Sequence, residues 1–195
     1  DIPHIMHSFT KILTNTAVAL AYDDGLLKLE DPVLKYFPEY EADANEYLRA
    51  CTIRNMITMR NGQQRSIGGN EWRPLKTSWK EAYFRVPFDK KPGETYMYSS
   101  GNSYILSYIV QKLEGKTCRE LVQERVGKEI GLNDFPWMLS PEGVCSGGNG
   151  VSLTTEDMLR IGLLYLNKGK WNGKQLLSEK WIEESTRASD VDYYA

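Results

Sequence analysis

Two histidines and three cysteines are all that this chain of 195 residues offers to imidazole or thiol chemistry. Cys51, Cys118 and Cys145 are odd in number and widely spaced, so they describe neither a disulfide framework nor a zinc site. No metal and no cofactor is expected. A basic excess is also lacking: 24 Lys and Arg face 26 Asp and Glu, for a net charge of −2, which excludes the electrostatic footprint of a nucleic-acid or anionic-membrane binder. No apolar stretch approaches the roughly 18 uncharged residues of a membrane span, and no signal-peptide pattern opens the chain. Asp1 stands where an initiator Met is absent, which reads as a processed or partial chain, and the compartment stays open between cytoplasmic and extracytoplasmic. What remains, at 41% hydrophobic and 26% charged, is the composition of an ordinary globular domain with no linker, repeat or low-complexity segment dividing it.

Helix signals dominate. A mostly apolar run follows Ser8 and extends to about Asp24, where Gly25 supplies a left-handed stop. Thr52 is the expected N-cap of a second helix, broken at Asn61-Gly62, and Gln63 to Pro74 reads as loop. Ser78 caps another helix, Lys90-Lys91-Pro92-Gly93 makes a turn, and the apolar run from Asn102 to Leu113 marks a largely buried helix closed by Gly115. Thr117 to Glu120 is a capping box, Thr154 to Asp157 opens a helix reaching Leu166, and Ser178 caps the last. Few convincing strands appear.

Among the candidate chemical groups, Ser8 and Lys11 stand out because residues three apart share a helical face. A lysine desolvated enough to lose its proton can take the proton of a serine hydroxyl, and the helix start favours a developing oxyanion. The spacing alone is weak, since roughly one match arises by chance in a chain this long. A second support comes from Tyr98-Ser99-Ser100, which precedes the buried helix in the manner of an active-site loop.

Competing constellations fit less well. Gly143-Val144-Cys145-Ser146-Gly147 has the form of a nucleophile elbow, but that elbow needs a strand before it, a helix after it and a later histidine. Both histidines, His4 and His7, come first in the chain and flank Ser8 rather than serving as its base. Glu94, Glu156 and Asp157 read as turn and capping residues, not as a glycosidase pair.

Ser8-x-x-Lys11 with Gly25 to Val33 behind it, then Thr52 to Gly62, then Tyr98-Ser-Ser100, resembles the serine β-lactamase and penicillin-binding protein superfamily. The likeness is to the branch holding class C β-lactamases, DD-carboxypeptidases and related esterases. Gly147 to Met158 and Leu163 to Leu177 agree, so the resemblance covers nearly the whole chain in the family's order. It implies an α/β (α+β) β-lactamase-like fold in which residues 1–195 form a single domain, truncated at both ends. Such a chain would carry mainly the helical part, with most strands of the usual antiparallel sheet missing.

By that resemblance Ser8 is the nucleophile of an acyl-enzyme, Lys11 its activating partner and Tyr98 the acid or base near the leaving group, with Ser100 and Asn102 contacting substrate. Ser100 stands where many members have Asn. The implied substrates are β-lactams, D-Ala-D-Ala peptides or small esters and amides, and the alternative is a non-hydrolytic penicillin-binding sensor or scaffold. The family's third motif, Lys-Thr-Gly or His-x-Gly, does not occur after Tyr98. Loss of one oxyanion donor typically costs about 3 to 4 kcal/mol, so weak or absent activity is expected of residues 1–195 alone.

Overall fold

A single long helix, buried on nearly every side, organises the rest of the chain. The computed structural model describes residues 2–188. After a short strand β1 (His4–Ile5) the chain makes a 3-10 turn over His7–Phe9 and enters α1 (Thr10–Asp23). Leu13, Ala17, Val18, Ala19, Leu20 and Ala21 of α1 are buried, which a helix with apolar residues around its whole circumference requires. Asp24 ends the helix and Gly25, at φ +74°, turns the chain away as expected.

Short helices then wrap one side: α2 (Glu46–Ala50), α3 (Ile53–Ile57) and α4 (Trp79–Phe84). Asn45, Thr52 and Ser78 cap them through side-chain oxygens that accept backbone N–H groups of the first turn. α3 stops sooner than its sequence suggests: Met59 takes a left-handed φ of +57°, so the helical path is lost before Asn61-Gly62. Gln63 to Pro74 is irregular apart from a 3-10 turn at Gly69–Glu71.

α5 (Ser100–Glu114) is the second buried helix, and it packs along α1. Gly115, at φ +68°, closes it, and Thr117 with Glu120 forms the capping box of α6 (Cys118–Val122). A π-turn over Gln123–Gly127 leads into α7 (Lys128–Ile130). β2 (Ser152–Leu153) pairs antiparallel with β1, His4 opposite Leu153 and Ile5 opposite Ser152. Thr154 and Asp157 cap α8 (Thr155–Leu166), β3 (Lys170–Trp171) and β4 (Lys174–Gln175) form a hairpin, and α9 (Glu179–Ser185) follows its Ser178 cap.

The described residues are therefore mostly helical, with strands of two residues each. One continuous core joins α1, α5, α6 and α8, and an aromatic group of Trp72, Trp79 and Tyr104 extends it beneath the 63–74 loop. No described helix is long and apolar enough to cross a membrane.

Candidate active site

His7 is the first sign of a site, because it holds a left-handed φ of +42° immediately before Ser8. Such a conformation is uncommon for a residue with a Cβ, and it turns the chain from β1 into the 3-10 turn that presents Ser8 to solvent. One turn on, Lys11 is only part-exposed, and its ammonium nitrogen is shared among three oxygens. Nζ lies 2.8 Å from the Gly148 carbonyl, 3.3 Å from Ser100 Oγ and 3.4 Å from Ser8 Oγ.

All three partners are neutral, so no opposite charge in that set offsets the cost of removing the amine from water. Burial accordingly lowers the Lys11 pKa from 10.5 to about 8. Lys11 Nζ lies 4.6 Å from the centroid of the Tyr98 ring, and the Tyr98 hydroxyl donates to Ser8 Oγ at 2.7 Å. Ser8 thus sits between a phenol and a partly deprotonatable amine, which is the arrangement proton transfer to and from a serine needs.

Two glycines make the approach possible. The segment through Gly147 and Gly148 passes between α1 and α5, with Thr14 Oγ1 donating to the Gly147 carbonyl at 2.7 Å. Thr10 Oγ1 accepts the Val151 N–H at 3.3 Å, so one face of α1 holds the whole segment. A Cβ on Gly148 would lie 2.7 Å from the Ser100 Cβ, and one on Gly147 would collide with the Ser103 carbonyl. The Gly148 carbonyl was not visible as a site group, since a backbone oxygen has no residue type to read; the Gly-Gly pair is the signal that marks the close approach.

Of the residues singled out in the sequence, Ser8, Lys11, Tyr98 and Ser100 come together, and Asn102 does not. Asn102 is fully buried; its Oδ1 accepts from Asn61 Nδ2 at 2.9 Å and from the Tyr83 hydroxyl at 3.0 Å, and its Nδ2 donates to the Met56 carbonyl at 3.2 Å. Asn102 thus faces the interior rather than the cluster around Ser8, because on a helix a residue two positions from Ser100 points to another face. Cys145 is buried, and desolvation pushes its thiol up to about 11, which leaves it without thiolate character at neutral pH. Among the described residues no group of three or more His, Cys, Asp or Glu gathers to hold a metal ion.

The beta-lactamase family model matches residues 3–194. The 6-aminohexanoate-dimer hydrolase of Paenarthrobacter ureafaciens is 24% identical over 94% of this chain and 50% of its own length. The D-alanyl-D-alanine-carboxypeptidase/endopeptidase AmpH of Escherichia coli strain K12 is 25% identical over 82% of this chain and 48% of its own. A solved penicillin binding protein from Bacillus halodurans superposes with a TM-score of 0.74 at 17% identity, covering 99% of this chain and 68% of that one, which speaks for the fold. The chain spans about half the length of the two hydrolases it matches.

Proposed function

The chain belongs to the beta-lactamase family, and from that premise we propose that it carries the acylation half of a serine hydrolase acting on an amide, peptide or ester carbonyl. The observation that carries this reading is the meeting of Ser8, Lys11 and Tyr98 around one hydroxyl oxygen. Ser8 Oγ attacks the acyl carbonyl and forms an ester with it. Neutral Lys11 accepts the hydroxyl proton across the 3.4 Å contact, and Gly148 and Ser100 hold the amine in place meanwhile. Tyr98, already bonded to Ser8, gives a proton to the leaving group and regains one from the water that releases the acyl group, while Lys11 returns its proton to the departing Ser8 Oγ.

Relatives named 6-aminohexanoate-dimer hydrolase and D-alanyl-D-alanine-carboxypeptidase/endopeptidase support amide and peptide carbonyls as substrates, and one named lovastatin esterase supports ester carbonyls. Residues 1–195 hold no Lys-Thr-Gly or His-x-Gly triplet after Tyr98. A missing oxyanion donor costs about 3 to 4 kcal/mol, so these residues by themselves are expected to acylate slowly and release the acyl group more slowly still.

Stopped-flow release of p-nitrophenol from p-nitrophenyl acetate tests the reading. A burst of no more than one equivalent, lost in Ser8→Ala, is the expected result. A burst that survives in Ser8→Ala would place the nucleophile elsewhere.

A further inference from the structure

Four described residues other than glycine adopt a left-handed backbone: His7, Met59, Lys168 and Asn172. Lys168 and Asn172 lie in the turns around β3 and β4, where such conformations are common. Met59 lies instead beside the segment that carries Tyr98, and its conformation survives only because its surroundings hold it. The Met97 N–H donates to the Met59 carbonyl at 2.8 Å, and the next carbonyl, of Arg60, accepts the Gly93 N–H at 2.8 Å. On the other side of Tyr98, the Ser99 N–H points at Met59 Sδ at 3.5 Å, and Asn102 Nδ2 approaches the same sulfur at 3.7 Å.

We propose that Met59 is a positioning residue for Tyr98. Its carbonyl and its thioether each take one of the two backbone N–H groups that flank Tyr98, and together they hold the phenol against Ser8. The left-handed turn is what lets one residue present both acceptors to the same strip of chain. A continued helix would direct the Met59 carbonyl along its own axis, and Met97 would lose its partner. The inference rests on the serine-hydrolase reading for its functional meaning, since Tyr98 matters to catalysis only if Ser8 is acylated.

Met59→Leu keeps the bulk and the carbonyl and removes only the sulfur acceptor, and Met59→Gln restores an acceptor on a chain of equal length. In the 195-residue chain, Met59→Leu is expected to slow acylation of Ser8 by an organophosphonate about fivefold, the worth of one weak hydrogen bond. Met59→Gln is expected to recover most of the rate. In a Tyr98→Phe background, Met59→Leu should change nothing further, because its effect runs through the phenol. An equal slowing in both backgrounds, or none in either, overturns the proposal.

A second measurement does not depend on acylation. With fluorotyrosine incorporated and the Tyr98 line assigned by its loss in Tyr98→Phe, Met59→Leu should shift that fluorine line and leave those of Tyr22 and Tyr165 in place. An unmoved Tyr98 line, or all lines moving together, overturns the positioning role. If Ser8 proves unreactive in the parent chain, the hydrolase reading fails, and the fluorine spectrum still decides the place of Met59.

Discussion

Ser100 and Asn102 stand on the same first turn of α5, yet they belong to polar clusters of opposite kinds. Ser100 joins Ser8, Lys11 and Tyr98, where Ser8 is exposed, the other three are part-exposed and burial brings the amine closer to losing its proton. Asn102 joins Asn61, Gln63 and Tyr83, all buried, where amide and hydroxyl groups answer one another within 2.8 to 3.0 Å. A closed network of neutral groups fixes structure because every donor has an acceptor. An open cluster with one desolvated titratable group is free to do chemistry, because its bonds can be exchanged for bonds to a substrate. The two share a helix, and the buried one makes a rigid floor for the exposed one.

Substitutions should separate the two clusters. The largest effect belongs to the amine: Lys11→Ala is expected to slow organophosphonate acylation of Ser8 about a thousandfold, measured by intact-mass kinetics, because the proposed proton acceptor is gone. Ser100→Ala should slow the same reaction about tenfold, as the amine loses one of the groups that orient it, and should leave urea stability within about 0.5 kcal/mol. Asn102→Ala should do the reverse, costing about 2 to 3 kcal/mol in urea unfolding while acylation of the folded protein changes less than about twofold. A fall in acylation without a loss of stability in Asn102→Ala would erase the distinction.

The pH profile sharpens the same comparison. Only the neutral amine can accept a proton, and with a pKa of about 8 Lys11 is neutral in a larger fraction as the pH rises. From roughly a tenth neutral at pH 7 to half at pH 8, the acylation rate should increase about fivefold and then level off above the pKa. A rate flat across this range would show that Lys11 is not the base. The smallest effect is expected at Cys145, whose buried thiol takes no part: Cys145→Ala should leave the acylation rate unchanged.

Local chemistry made much of this legible in sequence. Thr52, Ser78, Thr117, Thr154 and Ser178 each proved to be the N-cap their residue type suggests, because a short side-chain oxygen satisfies first-turn N–H groups wherever a helix starts. The Ser8–Lys11 contact was suggested by their three-residue spacing, and it forms although Ser8 lies in the 3-10 turn that precedes α1. Long-range and backbone features did not show. β1 and β2 are two residues long, too short for an alternation, and they pair across most of the chain. Gly148 contributes a carbonyl, and Met59 a backbone conformation, and neither property is written in a residue's letter. The β3–β4 hairpin had a readable signal in Asn172-Gly173, both at positive φ, the dipeptide that a two-residue turn of matching twist prefers. The inward direction of Asn102 was not legible either, because polarity near a motif says nothing of the helical angle that turns the side chain away from Ser100.

We propose that Ser8 is the nucleophile, activated by Lys11 and Tyr98. Treatment with an organophosphonate, proteolysis and mass-spectrometric mapping of the adduct tests it most directly. A single adduct on the peptide containing Ser8, absent in Ser8→Ala, is the expected result. An adduct on another serine, or a folded chain left unlabelled at pH 8 and above, would contradict it.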